Sequence, residues 1–324
     1  MLNADFPWKM RLAGVSDLGL AQKRNEDRCF VGGMDEKLSF ALSNCGFDGE
    51  QRWTSPDTCT QSTAVMAIAD GFSELPSGDK AAEIAIRTAM EYMSSSVSFL
   101  NVSEAIKGHF AKALVRRAFD LCDQEIYEHQ RRITRDRDMR TTLSMVVVTG
   151  NEMTIAHTGN CRVSLVRAGQ IQQLTRDYPS PFDNSHNGSI AQVTAVPQTS
   201  NNDPLSNSIW NCLGGRDAVS PDVFQVPLTA GDCVLVNSGG LSRHVGQDEI
   251  LSVANRFRRP DEICGKLLSL ALERGGLDNT TILCCCIRKP IETEATDRKA
   301  QGSATSIDSA DYMFRSSLGF GICF

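Results

Sequence analysis

Apolar and polar positions along the chain fall into two alternating rhythms. Ala64-Val-Met-Ala-Ile-Ala69 is an unbroken apolar run closed by Asp70-Gly71, the signature of a short strand buried on both faces. Leu143–Thr149 and Met153–His157 flank Gly150-Asn151-Glu152, which predicts a hairpin. Val163–Arg167 and Ile171–Thr175 form a second such pair around Ala168-Gly169-Gln170. Cys233–Asn237 and Thr280–Ile287 are β-branched and apolar enough to be central strands. Between these runs the period changes to 3.6. Lys80–Met93 places Ala81, Ile84, Ala85, Thr88, Ala89 and Tyr92 on one stripe. A long helix from Ser103, its N-cap, to about Gln130 carries Ile106, Phe110, Leu114, Ala118, Leu121 and Ile126. Two shorter helices are predicted at Gln247–Arg256 and Asp261–Arg274, the latter opening after Pro260 and stopping at Gly275-Gly276. Hairpin strands with paired helices imply an α+β layered fold, not a doubly wound parallel sheet.

The signals follow one another from Gly14 to Ile287, which predicts a single domain over residues 11–288 behind a short extension, 1–10. Two stretches resist assignment, Ser43–Thr63 and Tyr178–Ser208, both polar and turn-rich. Residues 289–324 read as a flexible polar tail with an apolar end. Charge adds little: 33 basic against 39 acidic residues leave a net −6, and no long Lys/Arg run argues for nucleic acid. Twelve cysteines without a CxxC pair, and no secretory signal, point to reduced thiols in a cytoplasmic, monomeric protein. No apolar stretch approaches the ~20 residues that span a bilayer.

Candidate chemistry sits where strands end. Glu26-Asp27 precede Cys29-Phe30-Val31, Asp70-Gly71 close one apolar run, and Asp278-Asn279 open another. Each alone also reads as a turn or cap. Together they suggest oxygen ligands for a hard divalent cation. No phosphate loop, no G-x-S-x-G serine and no cysteine–arginine loop of phosphatase spacing accompanies them.

The order of short motifs carries a resemblance. Gly14-Val15-Ser16-Asp17-Leu18-Gly19 with Asn25-Glu26-Asp27, then Ala67-Ile68-Ala69-Asp70-Gly71, Thr141-Thr142-Leu143, Ala156-His157-Thr158-Gly159-Asn160-Cys161-Arg162, Leu174-Thr175-Arg176-Asp177, Leu213-Gly214-Gly215, Pro227-Leu228-x-x-Gly231-Asp232, Ser238-Gly239-Gly240-Leu241 and Gly275-Gly276-Leu277-Asp278-Asn279-Thr280-Thr281 are similar, in order, to the metal-dependent protein Ser/Thr phosphatases (PPM family, type 2C). The resemblance covers about residues 11–288. It implies a four-layer α-β-β-α sandwich of two antiparallel sheets, and two Mn²⁺ or Mg²⁺ ions that activate a water against a phosphoserine or phosphothreonine. It makes Asp70 the bridging ligand, Gly71 a carbonyl ligand, Glu26 and Asp27 ligands on one side and Asp278 on the other, with Asp70 and Asp27 closest to the catalysis. Its implied partners are a phosphoprotein substrate or a partner kinase.

Three departures qualify the resemblance. Gly239 stands where the family has an aspartate that holds one ion, and Asn160 where it has a carboxylate tied to a third. Gln22 replaces a phosphate-contacting arginine, which leaves Lys23 or Arg24 to supply the cation. The expectation is one good ion site and one weak one. Two readings stay open: a phosphatase of weakened activity, and a pseudophosphatase that binds phosphoproteins.

Overall fold

A computed structural model describes residues 9–34, 38–44, 50–54, 63–72, 75, 77–96, 104–133, 139–178, 211–215 and 219–288. The Ser103 cap, most of both unassigned stretches and the 289–324 tail lie outside the described residues.

Twelve strands form two six-stranded antiparallel sheets. The first runs β4(Gln51–Thr54)-β1(Lys9–Asp17)-β12(Thr280–Arg288)-β11(Cys233–Asn237)-β8(Arg162–Arg167)-β9(Gln170–Gln173). The second runs β10(Asp222–Pro227)-β7(Glu152–Thr158)-β6(Leu143–Thr149)-β5(Thr63–Asp70)-β2(Asp27–Met34)-β3(Leu38–Ser43). The three runs expected at the centre, β5, β11 and β12, are all interior strands. Their alternation shows why they read as continuous apolar runs. In β5, Ala64, Met66 and Ile68 face the other sheet, whereas Val65, Ala67 and Ala69 face helices. In β12, Leu283, Cys285 and Ile287 face the other sheet, and Ile282, Cys284 and Cys286 face the opposite way.

Helices α1(Gly78–Ser96) and α2(Glu104–Ile133) cover the second sheet through Ile84, Ile86, Met93, Leu114, Phe119 and Ile126. Helices α3(Gly239–His244), α4(Gln247–Arg256) and α5(Pro260–Glu273) cover the first through Leu241, Ile250, Ile263, Leu267 and Leu268. Three apolar layers therefore separate four layers of structure, the α-β-β-α sandwich expected from the sequence. The differences are local. Strand β1 begins at Lys9, pairing with Arg288, so it takes in two residues of the 1–10 segment. The interior strand β1, the edge strands β3, β4 and β10 and the six-residue α3 go beyond the expected elements.

Candidate metal centre

Strand register brings the acids together. Asp27, first in β2, lies opposite Asp70, last in β5. The first sheet meets them at the same end through Ser238, which follows β11, and Asp278-Asn279, which precede β12. Two bonds lock the sheets: Ser238 Oγ donates to Asp27 Oδ2 at 2.7 Å, and the Glu26 amide donates to Asn279 Oδ1 at 2.7 Å. Asn279 Nδ2 in turn donates to the carbonyls of Leu18 and Arg24. Ser238 Oγ also accepts from the Thr281 amide at 3.0 Å.

On the other side, Thr142 fastens Asp70: its hydroxyl accepts the Asp70 amide at 2.9 Å, and its own amide donates to the Asp70 carbonyl at 2.9 Å. Gly71 donates to the Glu26 carbonyl at 3.3 Å. A Cβ on Gly71 would lie 2.3 Å from the Gly78 carbonyl oxygen, so only glycine lets α1 start this close to the acids.

Electrostatics single out the two paired aspartates. Burial lifts Asp27 to about 7; hydrogen bonds from Ser238 and Thr281 and the charge of Arg28 pull against this, while Asp278 adds to it. Asp70 is pushed well above the ordinary carboxylate range, first by lost hydration and then by the charges of Asp27, Asp278 and Glu26. Mutual repulsion of this kind means that the four carboxylates share one small volume. Asp27 Oδ1 and Asn160 Oδ1 are buried oxygens that no hydrogen bond reaches. Buried acceptors lacking donors, beside carboxylates that repel one another, suit a hard cation that supplies the missing positive charge. Glu26, Asp27, Asp70 and Asp278 are thus brought together and fit such an ion.

The positions that depart from the family pattern also converge here. A Cβ on Gly239 would stand 3.3 Å from Asn160 Nδ2 and 3.6 Å from Asp70 Oδ2, so Gly239 faces the acids directly. The peripheral cations are placed differently. Lys23 and Arg24 are exposed, and Arg24 Nη1 lies 3.7 Å from Asp79 Oδ2 at the start of α1. Gln22 Nε2 donates to the Leu277 carbonyl at 3.1 Å.

One participant was not anticipated. Arg243 of α3 reaches back so that its Nε lies 3.4 Å from Asp278 Oδ2, and its charge lowers the affinity of Asp70 for a proton. No sequence signal marks it, because it is a half-exposed arginine on a helix whose first turn is Gly-Gly. Ser238 and Asn279, by contrast, sit inside the quoted motifs and could have been singled out.

Two expectations follow from the geometry. With a chelator present, the folded chain holds protons on Asp27 and Asp70 that the unfolded chain releases near pH 4. The unfolded state therefore binds fewer protons between about pH 4 and 7, and stability falls as pH rises through that window. The melting temperature of chelated protein should drop from pH 5 to pH 8, and saturating Mn²⁺ should remove most of the slope. A flat profile in chelator would mean that the acids are ionised without cost. Gly240 supplies the second expectation. A Cβ there would lie 2.0 Å from the Asn279 carbonyl oxygen. Gly240→Ala must push α3 away from the β12 entry, and should cost roughly 3 kcal/mol in urea unfolding.

Fold and acids together define an α-β-β-α sandwich with four carboxylates gathered at one end. The profile of the protein phosphatase 2C family matches residues 55–266, and the chain belongs to that family. Asp70, Gly71, Asn160 and Gly239 lie within the match, whereas Glu26, Asp27 and Asp278 lie outside it and are tied to the site by geometry. Among curated proteins the chain is similar to protein phosphatase PhpP of Streptococcus pneumoniae, 26% identical over 219 residues, 67% of this chain and 83% of that protein. It is similar to a putative 2C-type protein phosphatase of Streptococcus pyogenes, 25% identical over 84% of this chain and 96% of that protein. Among solved structures, the serine/threonine phosphatase of S. agalactiae superposes with a TM-score of 0.61 at 23% identity, over 86% of this chain and 99% of the other. The catalytic domain of the serine/threonine protein phosphatase PstP, solved with two manganese ions, superposes with a TM-score of 0.58 at 23% identity, over 87% and 100%.

Proposed function

We propose that the chain is a Mn²⁺- or Mg²⁺-dependent phosphatase of phosphoserine and phosphothreonine in proteins, with one of two ion positions weakened. The observation that carries this reading is the register pairing of Asp27 with Asp70 beneath Asp278 and Glu26. Asp70, repelled by all three other acids, takes the bridging role, and the Gly71 carbonyl supports it. Glu26 and Asp27 would hold the first ion, and Asp278 with Asp70 the second. Bound ions acidify a water and neutralise the phosphate oxygens. The chain's part is to hold Asp27 by Ser238 and Asp70 by Thr142, and to offer Lys23 and Arg24 at the rim for the phosphate. The domain responsible spans residues 9–288, from the start of β1 to the end of β12. No described helix is long and apolar enough to cross a membrane. Among the described residues, nine buried free thiols suit the reducing conditions of a cytoplasm. The test is release of phosphate from a phosphothreonine peptide across a Mn²⁺ titration, with saturation at higher Mn²⁺ than a single tight site requires.

The pseudophosphatase reading rests on Gly239, which leaves the second ion position short of a carboxylate, on Asn160, which leaves a third without one, and on the cation Arg243 beside Asp278. It predicts phosphopeptide binding without turnover at any Mn²⁺ concentration.

A further inference from the structure

Far from the acids, the layer between the first sheet and its helices holds three cysteines in mutual contact. Cys284 and Cys286 are two apart on β12 and share its helix-facing side, and Cys233 of β11 lies directly opposite Cys286. Their sulfurs are separated by 3.4 Å (Cys233–Cys284), 3.6 Å (Cys233–Cys286) and 3.9 Å (Cys284–Cys286). All three are buried, with Cys233 7% and Cys286 6% exposed at the rim of the layer. Ser238, at the acid centre, lies five residues along the strand from Cys233, about 16 Å away at ~3.3 Å per residue.

Three sulfurs so spaced lie on a circle of radius about 2.1 Å. An ion at the ~2.3 Å zinc–sulfur distance then sits about 0.9 Å out of their plane, close to the apex position of a tetrahedral ion with three thiolates as its base. A flat three-coordinate site with bonds of that length needs a wider triangle. We propose that Cys233, Cys284 and Cys286 form a second metal site, for one tetrahedral thiophilic ion of the Zn²⁺ class, separate from the acid centre. The thiol of Cys264 on α5 packs in the same layer and interacts with Cys284. Binding displaces three thiol protons to solvent, leaving a unit of net charge −1. Simple apolar packing explains why cysteines are tolerated in this layer, but not why three of them meet at ligand spacing.

Co²⁺ is the probe, because thiolate–cobalt bonds give a charge-transfer absorption in the near ultraviolet that oxygen ligands do not. Reduced full-length protein titrated with Co²⁺ should develop this band with one-ion stoichiometry, and equimolar Zn²⁺ should abolish it. Asp70→Asn should keep the band, which separates this site from the acid centre and from the phosphatase reading. Cys286→Ser, at the rim, should weaken Zn²⁺ by about tenfold or more, since even partners outside the ligand shell are worth 10–100-fold. Absence of the band in folded, reduced parent protein would overturn the proposal, whatever the variants do. So would a Cys286→Ser variant that keeps both the full band and the parent's Zn²⁺ affinity, or a band that disappears in Asp70→Asn.

Discussion

Asp70→Asn should abolish measurable Mn²⁺ binding and lower phosphate release by at least ~100-fold, while making the chelated protein more stable. The two effects have opposite signs because one carboxylate serves two purposes. In the metal-free fold Asp70 is held above the ordinary carboxylate range by lost hydration and by three neighbouring acids, so a neutral amide of the same shape removes repulsion. A higher melting temperature in chelator is therefore expected. With ions present the same change deletes the carboxylate proposed to bridge both positions. Outer partners of a bound metal are commonly worth 10–100-fold, and a bridging ligand should exceed them. Calorimetric titration with Mn²⁺ and melting in chelator read the two signs independently. Unchanged Mn²⁺ affinity in the variant would sink the assignment of Asp70, even if turnover fell.

Legibility of the fold followed burial. Strands β5, β6, β11 and β12 were readable because both faces are packed, which leaves continuous apolar runs that polar chain around them does not imitate. The helices α1, α4 and α5 were readable from the 3.6 period and end within three residues of expectation. The edge strand β4, four residues long and within a polar stretch, carried no such signal. Helix α3 escaped because Gly239-Gly240 are poor helix formers, and its start is fixed instead by the fit of Gly240 against Asn279.

The acid site divides in the same way. Glu26, Asp27, Asp70 and Asp278 each stood out at a strand mouth, but nothing local says that Asp27 and Asp70 are partners in register or that Ser238 bonds Asp27 across the sheets. Such convergence is a property of topology, where residues 211 positions apart become neighbours. Motif order supplied it only by resemblance. Arg243 shows the limit: its role depends on where a short unpredicted helix points, so the sequence alone gives it the look of an ordinary surface arginine.

Gly239→Asp should tighten the second ion by about 10–100-fold in Mn²⁺ titration, raise phosphate release, and destabilise the chelated protein. An alternative account makes Gly239 a backbone requirement, with a left-handed conformation that an aspartate could not adopt cheaply. The structure removes that objection: Gly239 is not among the positive-φ glycines, and it opens α3 after an extended Ser238. Its Cβ would meet Asn160 Nδ2 at 3.3 Å, a crowding that a few tenths of an ångström in the amide side chain relieve. The new carboxylate would then extend beside Asp70 Oδ2, adding a fifth acid to a volume where four already repel. Without metal that lowers the melting temperature; with metal the added charge and ligand favour a hard cation, whose affinity grows with the number of charged ligands. Arg243→Gln offers an independent route to the same end, because it removes the guanidinium beside Asp278 without touching Gly239. If both variants bind a second ion more tightly and hydrolysis rises, weakened occupancy is what limits the parent. If both bind it and no hydrolysis appears, the pseudophosphatase reading holds, and the missing function lies with Asn160 or with the cation lost at Gln22. Folded Gly239→Asp with unaltered Mn²⁺ affinity would end the lost-ligand account altogether.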